Sequence, residues 1–231
     1  MLLHIAVVLL LSYLSDCRKI RIYNKCPFTV WPGILGSSIP ENGGFRLDGG
    51  QSRTIDVPND WKAARIWPRT GCDGSFNCET GFCKNSEQCS GAGGVPPVSL
   101  AEFTLSGAGN QDFYDVSLVD GYNIPVLIDV EGGHGCKRAG GCHKNINDHC
   151  PDDLKVKGRG GNTVGCKSAC LAHNKDEFCC RGSFNDPNKC KPDYSARIFK
   201  DACPTAYSFA YDDKTSTFTC QTSANYVVQF C

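Results

Sequence analysis

The 231-residue sequence lacks any CxxC pair, although it holds 17 cysteines. Structural zinc sites usually draw thiolates from such pairs. The dense His/Cys stretch HGCKRAGGCHKNINDHC (His134–Cys150) therefore reads as disulfide framework, and no metal or cofactor is expected. No Asn-x-Ser/Thr acceptor occurs, so N-glycosylation is not expected. A GxSxG elbow and a phosphate-cradling Gly loop are both missing, which argues against α/β-hydrolase and nucleotide chemistry. With the cysteines committed to bridges, a thiol nucleophile has no place, and His134, His143 and His149 read as loop-surface residues rather than triad members. Net charge is +0 and basic residues form no concentrated run, so nucleic acid is not an expected partner.

Long apolar runs are also scarce. One, Ile5–Leu14, follows the first residues; it is too short to span a bilayer and reads as the core of a secretory signal peptide, although its n-region has no Lys or Arg. A buried first strand is the weaker alternative, because Ile20, Ile22 and Tyr23 supply one downstream. Ser15-Asp16-Cys17 fits a small-x-small cleavage pattern. Removal of residues 1–17 leaves a chain from Arg18 with 16 cysteines, an even number suited to eight bridges. No second such run or lipid-anchor tail appears, so a secreted, soluble monomer without a membrane anchor is expected.

What remains is short strands and turns. KIRIYNKC, FTVW, FYDVSLVDGYNIPVLIDV, TFTC and ANYVVQF cluster or alternate β-branched and aromatic residues, with Gly-rich breaks between strands. This predicts a mainly β chain, a β-sandwich with strands from both ends in one sheet system. Residues 136–203 differ: they hold nine cysteines, and 13 Lys/Arg against 8 Asp/Glu. Such a segment buries little core and depends on bridges. The reading divides 18–231 into a body (18–135 and 204–231) and a disulfide-rich lobe (136–203). One helix is predicted in the lobe, capped by Asn162 or Thr163, carrying Cys166 and Cys170 on one face and ending at Asn174. Adjacent Cys179 and Cys180 point to different partners.

RIWPRTGCDGSFNCETGFC (Arg65–Cys83), PPVSLAEFTL (Pro96–Leu105), DFYDVSLVDGYNIPV (Asp112–Val126) and CPTAYSFAYDDKTSTFTC (Cys203–Cys220) occur in this order, and together the chain resembles the thaumatin-like family over 18–231. The resemblance implies a flattened antiparallel β-sandwich, a disulfide-rich loop domain carrying a short α-helix, a small β-hairpin module, and a cleft between sandwich and loop domain. It implies the bridges Cys26–Cys231, Cys72–Cys78, Cys83–Cys89, Cys136–Cys220, Cys142–Cys203, Cys150–Cys166, Cys170–Cys179 and Cys180–Cys190. The chain departs from the family pattern at Phe82, Lys84 and Asn85, and in the short Cys72–Cys78 loop. These departures are expected to alter the surface on the cleft side.

The resemblance also implies an acidic cleft formed by Arg65, Glu102, Asp115, Asp120 and Asp212, with Asp213 the adjacent alternative. Taken alone, Asp120 before Gly121 and the Asp212-Asp213 pair read as turn residues, Asp115 as a solvated strand position and Arg65 as an ordinary ion-pair partner. Glu102 is more informative, because it interrupts the apolar run Leu100–Leu105 and so must face a cleft or a partner. Clustered carboxylates can accept hydrogen bonds from sugars, or hydrolyse glycosides when one is protonated and another ionised. Glu102 with Asp115 or Asp120 is the catalytic pair to test. Of the nearby aromatics, Phe113 reads as core, while Tyr114 and Tyr122 could stack on sugar or be buried. The expected function is a secreted host-defence protein that binds β-1,3-glucan or another microbial cell-wall polysaccharide. The alternatives are a weak endo-β-1,3-glucanase and a membrane-perturbing or enzyme-inhibitory interaction protein.

Overall fold

The computed structural model describes residues 17–133, 135–221 and 224–231. The signal segment up to Asp16, and His134, lie outside the described residues. The strands are β1 (Arg18–Asn24), β2 (Trp31–Leu35), β3 (Ser52–Val57), β4 (Ala64–Arg69), β5 (Leu100–Thr104), β6 (Asp112–Ser117), β7 (Val126–Glu131), β8 (Ala139–Gly140), β9 (Lys155–Lys157), β10 (Thr163–Cys166), β11 (Phe218–Cys220) and β12 (Asn225–Phe230). One five-stranded sheet runs β3-β1-β12-β7-β8, a second runs β11-β6-β5-β4-β2, and β9 and β10 form a separate hairpin.

Period-2 alternation sets the inner faces. Ile20 and Ile22 from β1 and Tyr226, Val228 and Phe230 from β12 are fully buried, as are Ile34, Ile66 and Ala101 from the second sheet. Each large apolar side chain removed from water contributes roughly 1.5–3 kcal/mol. Aromatic rings join the sheets: the Phe103 and Tyr226 centroids lie 5.3 Å apart edge to face, and Tyr114 and Tyr226 lie 5.2 Å apart.

The strands from the two ends of the described chain are neighbours, as the sequence suggests, but they run parallel, with Ile20 opposite Tyr226 and Asn24 opposite Phe230. The other ladders are antiparallel. Because β1 and β12 point the same way, Cys26 and Cys231 emerge together and are bridged. All eight expected disulfides are present.

Among the described residues three charged side chains are held inside: Arg18, Arg69 and Asp112. Asp112 is 1 % exposed; its carboxylate accepts from Arg18 at 3.0 Å, from the Tyr226 hydroxyl at 2.6 Å and from the Ser106 N–H at 3.0 Å. Arg69 is fully buried and donates to the Trp31 carbonyl at 3.0 Å, the Ser86 carbonyl at 3.1 Å and the Glu87 carbonyl. Burial lowers its pKa to about 10, against the pull of Glu87. Through these carbonyls Arg69 anchors the Cys83–Cys89 loop to β2 and β4.

The helical reading of 162–174 needs correction. Thr163–Cys166 is strand β10, paired with β9, so Cys166 leaves a sheet edge and not a helix face. The helix is α1 (Ala169–His173), a single turn. Its cap is Ser168, whose hydroxyl accepts the Leu171 N–H at 3.2 Å; neither Asn162 nor Thr163 caps it. Asn174 does end it, in the left-handed conformation expected of such a stop. Among the described residues three further α-helices follow: α2 (Asp176–Cys179), α3 (Tyr194–Ala202) and α4 (Asp213–Ser216). The longest, α3, is capped by Asp193, which accepts the N–H groups of Ser195 and Ala196, and it buries Ala196, Phe199 and Ala202. The Asp193 cap and this apolar spacing were signals for it in the sequence.

Candidate functional site

Register places three of the expected residues in one row. Arg65 on β4 lies opposite Glu102 on β5, and Glu102 lies opposite Asp115 on β6. Each sits between buried neighbours: Ala64 and Ile66, Ala101 and Phe103, Tyr114 and Val116. Alternation therefore turns all three to the outer face of the second sheet. Arg65 Nε pairs with Glu102 Oε1 at 3.0 Å.

A hollow of about 390 Å³ on this face is lined by Arg65, Glu102, Asp115, Asp120, Tyr207 and Asp213, among others. A second, of about 430 Å³, continues past the same row toward Ala63, Thr104 and Phe113. The row thus stands in the middle of an elongated groove. Asp120 is held by its own backbone, whose carbonyl accepts the Val98 N–H at 3.3 Å. Gly121 follows at φ +91°, and a Cβ there would come within 2.7 Å of the Cys166 carbonyl oxygen, so the turn that presents Asp120 requires glycine.

Asp212 does not join this group. Its carboxylate accepts from Lys200 Nζ at 2.9 Å, from the Ser208 N–H at 3.0 Å and hydroxyl at 2.8 Å, and from the Thr215 hydroxyl at 3.0 Å. Burial pushes its pKa up, but Lys200 and Ser208 outweigh that and hold it below the usual value. Asp213, the adjacent alternative, lines the hollow instead, and its Oδ1 accepts the Tyr207 hydroxyl at 2.8 Å.

The aromatic residues also sort differently. Phe113 is half-buried and lines the second hollow, contrary to its reading as core. Tyr114 and Tyr122 are buried; their hydroxyls reach the Lys137 carbonyl at 2.6 Å and Asn145 Oδ1 at 3.2 Å. Tyr207 escaped the sequence reading, although it lies within the CPTAYSFAYDD segment. Its backbone pairs with the end of β6, which brings its ring beside Asp115. Phe82 does not line the acidic groove; it lies with Lys155, Lys157 and Lys167 along a separate hollow, while Asn85 ties the two small disulfide loops together.

The crowding has an electrostatic consequence. Burial, then Glu102, then Asp213 push the Asp115 carboxyl up to about 8. Its Oδ1 is buried and has no hydrogen-bond partner among the described residues. Burial also raises Glu102, with Asp120 adding to the rise and Arg65 opposing it. At neutral pH the row therefore holds a protonated Asp115 beside Glu102, which keeps the Arg65 guanidinium at 3.0 Å. Such a row can donate one hydrogen bond and accept several, all from a rigid sheet surface.

The thaumatin family model matches residues 24–231, and the chain belongs to that family. It is 52% identical over 214 residues to "Pathogenesis-related protein 5" of Arabidopsis thaliana, covering 90% of this chain and 87% of that one. It is 46% identical over 240 residues to "Pathogenesis-related thaumatin-like protein 3.5" of Cryptomeria japonica, covering 99% and 98%. Among solved structures, a laminaripentaose-producing β-1,3-glucanase in complex with laminaritetraose superposes with a TM-score of 0.63 at 11% identity, covering 92% of this chain and 98% of that one. A family 64 β-1,3-glucanase from Paenibacillus barengoltzii, complexed with laminarihexaose, gives 0.63 at 12% identity, covering 93% and 74%. At these identities the likeness to the glucanases is one of fold.

Proposed function

We propose that the protein is a secreted defence protein that binds β-1,3-glucan of microbial cell walls along the acidic groove. The observation that carries this reading is the Arg65–Glu102–Asp115 row at the middle of a two-limbed groove, which suits an extended polymer better than a compact ligand. Asp120 and Asp213 add acceptors for sugar hydroxyls, and Phe113 offers an apolar face along one limb. The relatives named as pathogenesis-related support the defence role. Eight bridges fit an oxidising, extracellular setting.

A titration with laminari-oligosaccharides tests it. Wild-type protein binds saturably, and Glu102→Gln weakens binding by about tenfold or more, a loss of ~1.4 kcal/mol. Absence of saturable binding to soluble and insoluble β-1,3-glucan refutes the reading.

The unlike surroundings of the two central carboxyls, Glu102 beside Arg65 and Asp115 without an ion pair among the described residues, favour a second reading, weak endo-hydrolysis. Asp115, protonated up to about pH 8, gives its proton to the glycosidic oxygen, while Glu102 acts on the anomeric carbon as nucleophile or through a water as base. Reducing ends that accumulate with wild type, and stop with Asp115→Asn, select hydrolysis; binding without turnover selects the lectin-like reading.

A further inference from the structure

A hollow of about 650 Å³, larger than either limb of the acidic groove, lies beside the Cys26–Cys231 bridge, between the start of β2 and the β9–β10 hairpin. None of its lining residues belongs to the acidic groove. The one charged side chain among them is Glu79, whose Oε1 already accepts the Arg159 N–H at 2.6 Å. Phe28, 44 % exposed, and half-buried Trp31 supply aromatic surface.

The polar part of the lining is made of amides. Asn162 is exposed, and its side chain makes no hydrogen bond among the described residues. Asn147 is fixed by its Nδ2, which donates to the Asn123 carbonyl at 2.9 Å, while its buried Oδ1 finds no partner among the described residues. Asn145 stands at the same place, locked by Asp148 and Tyr122. The backbone beneath is rigid, because buried Asn123 bonds the Pro68 carbonyl and Thr80 hydroxyl, both at 2.8 Å.

We propose that this hollow is a second ligand site, and that it takes a neutral oligosaccharide. Its volume lies in the range of small-ligand sites. Sugar rings present an apolar C–H face to an aromatic ring and hydroxyls that both donate and accept, which is the capacity of a carboxamide. An anionic ligand finds no basic side chain in the lining, a cationic one finds only Glu79, whose Oε1 is already held by the Arg159 N–H, and a purely apolar one leaves the amides unsatisfied. The site goes beyond the acidic-groove reading and stands without it.

Trp31 makes the test specific. Trp61 and Trp67 are fully buried, so a ligand in this hollow perturbs mainly the emission of Trp31. The oxidised, secreted protein is titrated with laminarihexaose, cellohexaose, xylohexaose and chitohexaose, followed by tryptophan fluorescence and calorimetry. At least one hexaose shifts the emission saturably. Asn162→Ala and Trp31→Ala each weaken that site by about tenfold. Trp31→Phe keeps calorimetric affinity within about threefold but loses the optical signal. Glu102→Gln leaves the signal intact. If Trp31→Ala does not fold, Asn162→Ala, at an exposed position, carries the test. The proposal falls if no hexaose perturbs Trp31, if Glu102→Gln abolishes the perturbation, or if a proline-rich peptide produces it and no sugar does. Loss of groove binding with the Trp31 signal retained would sink the acidic-groove reading alone.

Discussion

Glu102 and Asp115 stand directly opposite each other on β5 and β6, yet the Arg65 ion pair reaches only the glutamate, at 3.0 Å. The aspartate bears the cost of burial and of the Glu102 and Asp213 charges with only partial relief from Arg65, and its carboxyl rises from 3.8 to about 8. The folded protein therefore holds a proton that the unfolded chain has released between those two values. Stability from this group is complete below about pH 4, falls as pH rises toward 8, and is constant above that. Asp115→Asn removes the dependence. Urea midpoints measured from pH 4 to 9 should diverge from wild type in favour of the variant, by on the order of 1–5 kcal/mol at the alkaline end. Parallel curves would show that Asp115 is ionised in the fold at neutral pH.

The Arg18–Asp112 pair makes the opposite use of burial. Arg18 also donates to the Ala224 carbonyl at 2.5 Å, which ties β1 to the start of β12. Truncation to Arg18→Ala leaves Asp112 buried with only the Tyr226 hydroxyl and Ser106 N–H, and should cost ~3–5 kcal/mol. Replacing both residues with apolar side chains of similar volume should recover much of that loss. The same pair bears on processing. Cleavage after Cys17 keeps Arg18, whereas cleavage one residue later removes the guanidinium. N-terminal sequencing of the mature protein should therefore begin no later than Arg18.

The parallel pairing of β1 with β12 makes Cys26–Cys231 the bridge of longest span, with a separation of 205 residues. Cys136–Cys220 already shortens the path between its ends in the oxidised unfolded chain. With that allowance, loop-closure entropy still assigns it ~4–5 kcal/mol. The double substitution Cys26→Ser and Cys231→Ser should fold, because buried Ile20, Ile22, Tyr226 and Val228 still hold the strands together. It should melt lower by roughly 2–4 °C for each kcal/mol lost.

The sandwich was legible because its strands alternate, and alternation is a local property of KIRIYN or ANYVVQF. The bridges were legible by resemblance, not by spacing. The short helices were not: α1 is a single turn set by Ser168, and neither its five residues nor the four of α2 are long enough to show a period. The Arg65–Glu102–Asp115 row was legible as three residues but not as a row, since register between strands far apart in sequence is fixed only by packing. The choice between Asp212 and Asp213 depended on where Lys200 would lie, and Lys200 belongs to α3, the helix the sequence reading missed. Tyr207 was missed because its role comes from a bridge to Ser117 that no local pattern announces.

That choice yields the sharpest contrast. Asp212 is bound to Lys200, Ser208 and Thr215, so Asp212→Asn removes charge-assisted bonds that join α3 to the turn before α4. It should cost ~1–3 kcal/mol of stability and leave glucan affinity unchanged. Asp213 faces the groove, accepts the Tyr207 hydroxyl and helps raise Asp115. Asp213→Asn should alter stability by less than ~0.5 kcal/mol at a partly exposed site, move the Asp115 titration downward, and change laminari-oligosaccharide affinity by about threefold or more. Unfolding curves and carboxyl NMR titrations of the two variants read these effects separately. If Asp212→Asn alters affinity while Asp213→Asn does not, the ligand does not lie along this groove in the way the row of carboxyls requires.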